Sequence, residues 1–448
     1  MDGCAQTHAE SIATMPDLSL RQRAFVLFAL FLALSPPAAA RTSHARHAAH
    51  AAKRTTAHAQ AHARPGPKAA AAATPKSTAA PTFTLAPAGS GSVPAAPTLD
   101  ARSWAVLDAA TGTVIAESNG SQREEPASLT KLMTAYLVFQ AMQQGRLKPD
   151  EAVTISEHAW RAEGSRSFVQ VGTQVPADIL VKGMIVQSGN DAAIALAERV
   201  GGTEPGFVQM MNETAQRLGM AGTHYADASG LPSPEHYTTA RDLGTLSRAL
   251  LRDFPDYYPM FSLREFTWNN IRQENRNGLL GRDPSVDGLK TGHTDSAGFC
   301  LVSSAKRNNM RLVGVVLGSS SIKGREEGSA ALLEYGFAGY ETVTVRQHGS
   351  TVLQPRVYKG SEESIALVTA DDVQLTVPRG QGTTIGTRAS AHLPLVAPLA
   401  PAIAVGELEV TTGGKSIAKV PLYPAHAVAP GGLWRRLVDT VALWFYKG

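Results

Sequence analysis

Apolar, strand-like runs at residues 104–108 and 113–116 return at 299–305 and 310–317, while the stretch between carries helical spacing over 129–144, 175–187, 191–200, 204–218 and 240–251. Isolated strands are not stable, so the two ends of this segment must pair with each other. The expected domain is mixed, with one sheet assembled from both ends and helices packed on it. A turn is expected around Ala109, Thr111 and Gly112, and a closing helix at 326–337.

Beyond about Tyr340 the pattern shifts to short β-branched runs at 341–346, 364–369, 373–377, 406–411 and 416–422, the last two flanking Gly413-Gly414 as in a hairpin. The expected organisation is a mixed catalytic domain over 99–340 and a small all-β domain over 341–428, in which nothing looks catalytic. In the last stretch, 429–448, Leu433, Trp434, Leu437, Val438, Val441, Trp444 and Phe445 recur at three- and four-residue intervals, with Arg435, Arg436, Asp439 and Thr440 elsewhere on the wheel. Such a helix is too short and too polar to span a bilayer. Its aromatic residues suit a membrane interface better than a dock on the protein body.

At the other end, Arg21 and Arg23 precede an apolar run over 24–34 and the small residues Ala38-Ala39-Ala40, the layout of a secretory signal over 1–40, with Met15 a candidate start. Residues 41–98 are mostly Ala, Pro, Thr, Gly, Ser and His and are expected to form a disordered linker. Its histidines His44, His47, His50, His58 and His62 lack a scaffold to fix metal geometry. The linker carries +7 and residues 1–40 carry −1, so 99–448 carry −2 of the formal +4. A slightly acidic folded part offers no basic groove, and no nucleic-acid partner is expected. Loss of Cys4 on export leaves Cys300 alone, in the apolar run 298–302, where it reads as a small buried hydrophobe.

Three motifs fall in order within the mixed domain: Ser128-Leu129-Thr130-Lys131, Ser188-Gly189-Asn190 and Lys290-Thr291-Gly292. A Ser/Lys pair three residues apart occurs four times in the chain, whereas Ser-x-Asn and Lys-Thr-Gly each occur once. Ser128 stands out from the other three serines because it follows Pro126-Ala127 and opens a helical pattern, which puts Lys131 on the same face within reach of its hydroxyl. A serine needs a neighbour to take its proton, and lysine does so only when neutral, so burial and nearby positive charge must lower its ordinary value. Lys290 is the expected neighbour and can also hold an anionic substrate. Ser188 is placed to relay a proton to a leaving amine, and Asn190 to orient Lys131 or a substrate amide. Gly292 on a strand edge allows close approach of a ligand backbone, Lys290 and Thr291 would face a terminal carboxylate, and the N–H groups of Ser128 and His293 would meet a developing oxyanion. No cofactor and no metal site is expected.

On these residues, together with Gln187-Ser188-Gly189-Asn190-Asp191-Ala192, Asn275-Arg276-Asn277-Gly278-Leu279-Leu280 and Val286-Asp287-Gly288-Leu289-Lys290-Thr291-Gly292-His293-Thr294, the chain resembles the low-molecular-mass penicillin-binding proteins that are D-alanyl-D-alanine carboxypeptidases. The resemblance runs from about Pro97 through nearly all of the mature chain. It implies an α/β (mixed) catalytic domain of the penicillin-binding and serine β-lactamase-like fold, with a β-rich C-terminal domain that lifts it from the membrane. It implies removal of the terminal D-alanine from peptidoglycan pentapeptide stems, with Ser128 forming the acyl-enzyme, Lys131 as base, Ser188 and Asn190 completing the site, and Lys290 binding the substrate carboxylate. It also implies that Arg325 shapes the carboxylate side with Arg276 nearby, that β-lactams acylate Ser128, and that the C-terminal helix holds an exported protein on the periplasmic face of the inner membrane. The segment 41–98 departs from the family.

Three other readings share parts of this pattern. A class A β-lactamase would need a Glu-x-x-Leu-Asn stretch between Ser188 and Lys290, and none is present. An endopeptidase that cuts cross-links between stems has the same motifs. An idle wall-binding scaffold would keep them without reacting with penicillin.

Overall fold

The computed structural model describes residues 93–446, so the signal expected over 1–40 and the linker up to residue 92, with its five histidines, lie outside the described residues. Strands β1 (Ser103–Asp108) and β2 (Val114–Ser118) are joined through Gly112 at φ +75°. Two short antiparallel pairs follow along the chain, β3 (Ala152–Thr154) with β4 (Gln174–Pro176) and β5 (Glu265–Trp268) with β6 (Ile271–Glu274). Strands β7 (Val286–Thr294), β8 (Gly298–Arg307) and β9 (Met310–Ser319) then complete a five-stranded antiparallel sheet in the order β2-β1-β9-β8-β7. The pairing of β1 with β9 joins the two ends of the segment, as the strand pattern required.

Every residue of β1 is buried, because both faces of the sheet are covered. Trp104 and Val106 point to one side and pack with Leu301, Leu312, Val316, Leu332 and Phe337, while Ala105 and Leu107 point to the other and join Val302, Val313 and Val315 under the helices. Those helices are α1 (Lys131–Gln143), α2 (Ala177–Lys182), α3 (Asn190–Gly201), α4 (Glu204–Arg217) and α5 (Ala240–Asp253), and α6 (Ile322–Gly339) covers the opposite face. Thr203, Thr239 and Ser321 cap α4, α5 and α6 by accepting from the N–H groups of Gly206, Asp242 and Gly324. The helix expected from 175 starts at Ala177 instead, since Pro176 disfavours helical backbone at Val175 and the residues before it pair as β4.

The C-terminal part contains β10 (Tyr340–Arg346), β11 (Val357–Tyr358), β12 (Leu367–Val368), β13 (Val373–Pro378), β14 (Ile385–Ala391), β15 (Leu395–Val396), β16 (Gly406–Thr412) and β17 (Lys415–Pro424). It has its own core, including Val357, Leu367, Leu408, Val410 and Leu422. The β16–β17 hairpin turns on Gly413 and Gly414 at φ +53° and +79°. Asp108, at the end of β1, ties the two parts together by accepting from Thr342 Oγ1 at 2.6 Å and Thr376 Oγ1 at 2.8 Å. A final helix, α7 (Leu433–Trp444), rests against this β-rich part.

Candidate active site

Ser128 sits in a tight turn, Ala127–Thr130, that leads into α1. Ala127 is held at φ +46°, a conformation uncommon outside glycine, and Gly230 packs so closely on its carbonyl that a side chain there would collide. The next turn of helix brings Lys131 back beneath the serine. Its Nζ lies 3.1 Å from Ser128 Oγ, 2.7 Å from Asn190 Oδ1 and 2.6 Å from the Ser229 carbonyl. A neutral amine has two N–H bonds and one lone pair, so with Asn190 and Ser229 accepting, the lone pair is left facing the Ser128 hydroxyl.

Lys131 is 1% exposed. Burial pulls its pKa down to about 7; Asp227 and Asp191 oppose this, and the Arg276 guanidinium adds to it. Lys290, the cationic neighbour expected from the sequence, is electrostatically coupled to Lys131 and is itself lowered well below its ordinary value, by burial first and then by Lys131, Arg276 and Arg325.

Asn190 opens α3 two residues after Ser188, which lies at the end of a widened helical turn, Gly183–Gln187, with φ +66°. That left-handed backbone turns Ser188 toward β7, where its Oγ accepts from Lys290 Nζ at 2.9 Å. Lys290 Nζ also donates to the Thr291 carbonyl at 2.9 Å. Gly189 has to be small, because a Cβ would run into Ser167. Asn190 Nδ2 donates to the Glu163 carbonyl at 2.6 Å, and Asp191 accepts from the Ser167 N–H at 2.8 Å, so α3 also fixes the loop that borders the site.

The edge strand β7 brings Lys290, Thr291, Gly292 and His293 alongside the Ser128 turn. Gly292, expected to make room for a ligand backbone, also packs against the protein's own turn, where a Cβ would lie 3.1 Å from the Pro126 carbonyl and 3.3 Å from the Ala127 Cβ. His293 is exposed, with its ring stacked on Phe299 at 4.1 Å. Arg325, 5% exposed in the first turn of α6, donates to the Gly292 carbonyl at 3.3 Å and the Arg276 carbonyl at 3.4 Å. Arg276 in turn donates to Ser165 Oγ at 2.9 Å. The cleft above these groups measures about 530 Å³, and its lining includes Ser128, Ser188, Thr291, Arg276 and Arg325 but no carboxylate. A larger cavity of about 640 Å³ lies at the far end of β7, beside Asp287 and Arg311, away from the Ser/Lys pair.

Of the nine residues singled out from the sequence, Ser128, Ser188, Thr291, Gly292, His293 and Arg325 line this cleft, and Lys131, Asn190 and Lys290 lie buried beneath it, joined to Ser128 and Ser188 by hydrogen bonds. The loop behind Lys131 was not among them. Asp227 accepts from the N–H groups of Ser229 and Gly230, both at 2.6 Å, which holds the Ser229 carbonyl against Lys131. Burial disfavours its charge, but His236 and these N–H groups hold its pKa at about 2. The sequence signal was an acid two residues before Ser229-Gly230, the pattern of an Asx turn. Cys300 is fully buried, and burial pushes its thiol up to about 11, so it is a packing residue.

The arrangement is chemically that of an active-serine acyl-transfer enzyme in which a buried amine takes the place of an imidazole base. Comparisons with known proteins narrow the class. The family described as D-alanyl-D-alanine carboxypeptidase, peptidase S11, matches residues 91–321, and the penicillin-binding protein 5 C-terminal domain matches residues 340–430. The D-alanyl-D-alanine carboxypeptidase DacD of Salmonella typhimurium is 40% identical over 363 residues, 79% of this chain and 93% of that one. The crystal structure of penicillin-binding protein 5 from Haemophilus influenzae superposes with a TM-score of 0.70 at 39% identity, covering 76% of this chain and all of that one. Penicillin-binding protein D2 of Listeria monocytogenes, in its ampicillin-bound form, gives a TM-score of 0.50 at 32% identity over 54% of this chain and 98% of that one. The chain belongs to the family of serine-type D-alanyl-D-alanine carboxypeptidases.

Proposed function

We propose that this chain removes the terminal D-alanine from peptidoglycan pentapeptide stems through an acyl-enzyme on Ser128. The observation that carries the reading is the position of Lys131 Nζ, 3.1 Å from Ser128 Oγ and within hydrogen-bond distance of Asn190 Oδ1 and the Ser229 carbonyl, two acceptors that leave the lone pair of the neutral amine for the serine. The substrate's terminal carboxylate enters a cleft lined by guanidinium groups and is met by Lys290 and Thr291, with Arg276 and Arg325 beside them. Its charge favours the protonated form of Lys290, which burial disfavours.

Ser128 Oγ then attacks the carbonyl carbon of the penultimate D-alanine as its proton passes to Lys131, and the oxyanion is met by the N–H groups of Ser128 and His293. Collapse breaks the C–N bond, Ser188 passes a proton to the departing amine, and D-alanine leaves. Water activated by Lys131 hydrolyses the ester and regenerates the serine. A β-lactam, presenting the same acyl and carboxylate groups, acylates Ser128, and the ampicillin-bound Listeria relative supports this.

The test is release of D-alanine from an N-acylated Lys-D-Ala-D-Ala peptide by the purified protein, set beside cleavage of a cross-linked stem dimer. Release from the peptide is the expected result; cleavage of the dimer alone would make the protein an endopeptidase. The pH dependence follows from Lys131, because only the neutral amine accepts the serine's proton. With its pKa held at about 7, kcat/KM should rise as pH increases through about 7 and level off above it. A profile flat from about pH 5 to 9 would remove Lys131 from the role of base.

The protein is proposed to act in the periplasm, on the outer face of the inner membrane. No helix among the described residues is long and apolar enough to cross a membrane. Peripheral attachment through 429–448 is supported by α7, where Leu433, Trp434, Trp444 and Phe445 are 78 to 85% exposed.

A further inference from the structure

Helix α7 is docked with its polar side inward. Asp439 is only 2% exposed and accepts from the Lys359 N–H at 2.6 Å and from Arg356 Nη2 at 3.1 Å. Opposite it, at 100° per residue, Leu433, Trp434, Leu437, Val441, Trp444 and Phe445 fall on one continuous arc, and all are exposed. A helix held only for the protein's own stability would bury that arc and expose the acid. With tryptophan near both ends of the arc and Arg435 and Arg436 beside it, its chemistry matches the headgroup and acyl boundary of a bilayer.

A second apolar segment adjoins this helix. Strand β11 pairs in parallel with β15, Tyr358 opposite Val396, and partners in register project from the same face of a ribbon. The Tyr358 ring lies 6.0 Å from the Tyr446 ring, edge-on, so the face that holds the end of the α7 segment is also the face that carries Val396, 37% exposed. From there the chain passes Leu399, bridged to Val428 just ahead of α7, and reaches a turn in which the Ile403 N–H donates to the Ala400 carbonyl at 3.1 Å. Ile403 is 63% exposed at this turn, and nothing on the catalytic side uses it.

We propose that the segment 396–403, through Val396 and Ile403, enters the same bilayer interface as α7 and forms a second point of membrane contact. The inference rests on the membrane reading of α7 given above. One helix lying in an interface leaves the molecule free to tilt about it. Two contacts, joined through the Asp439 latch to β11, fix how the β-rich part stands on the membrane and hence the direction in which the cleft faces.

The test uses the full chain with Ile403→Cys labelled by an environment-sensitive fluorophore, in a Cys4→Ser background, with vesicles of phosphatidylethanolamine and phosphatidylglycerol. Buried Cys300 does not compete for the label. On adding vesicles the emission should shift to the blue, and Val396→Ser with Ile403→Ser should weaken vesicle binding roughly tenfold. Hydrolysis of a soluble peptide should be unchanged in that variant, which shows that it is folded. If the protein binds vesicles while the label does not respond and the double variant binds as wild type, the second contact is wrong and the helix reading stands. If wild type does not bind, or Trp434→Ala with Trp444→Ala binds equally well, the membrane reading itself fails and this inference with it.

Discussion

Replacing Lys131 by methionine should lower D-alanine release on the order of 10^3-fold, the usual scale for losing a general base. Methionine fills nearly the same buried volume without a charge, so packing under the Ser128 turn is kept. What is lost is the lone pair, and with it the acceptor for the Ser128 proton. Two acceptors, Asn190 Oδ1 and the Ser229 carbonyl, are left without a donor, which costs about 1–3 kcal/mol of stability each where no water enters. The activity loss should therefore be measured at a temperature where far-ultraviolet circular dichroism shows the variant folded. Lys131→Arg should be inactive as well, because a guanidinium stays protonated however deeply it is buried. Wild-type activity in either variant would show that the base lies elsewhere.

Ser128→Ala should have the larger effect, a loss of about 10^4-fold or more in kcat, because it removes the atom that forms the covalent bond. Its effect on stability should be small. Ser128 Oγ makes one hydrogen bond, with Lys131, and lies at a cleft open to solvent. Substrate binding should survive, since Lys290, Thr291, Arg276 and Arg325 are untouched, so the variant should still bind the acyl-D-Ala-D-Ala peptide without turning it over. Measured by calorimetry, an affinity for the peptide near the wild-type KM combined with no release would separate the nucleophile from the binding groups. Residual release near the wild-type rate would contradict the assignment.

The architecture of the catalytic part was legible because β1 is buried on both faces and its residues 104–107 read as an unbroken apolar run, as do residues 312–317 of its counterpart β9. The β16–β17 hairpin was legible from its two glycines. Strand β14 was not: its sequence, Ile-Gly-Thr-Arg-Ala-Ser-Ala, carries little β-branched or apolar character, and it is a strand because seven of its residues pair along β16. The strand pairs β3–β4 and β5–β6 have three and four residues per strand, too few for an alternating pattern to stand out.

At the cleft, the order of the motifs was enough to place Ser128, Lys131, Ser188, Asn190 and Lys290 together. What spacing does not carry is that Arg276, from the loop after β6, adds its charge to that of Lys290 around Lys131. The contact of Ser229 with Lys131 is made by a backbone carbonyl, which has no signature in residue type. The docking of α7 inverts an ordinary expectation, since one buried aspartate decides which side of the helix faces the protein.

Ser128 is the proposed acylated nucleophile. Its most direct test is mass spectrometry of the intact protein after incubation with benzylpenicillin, followed by digestion to locate the adduct. The expected result is a single penicilloyl group, carried on Ser128. An adduct on any other residue, or none on a protein that still releases D-alanine, would contradict it.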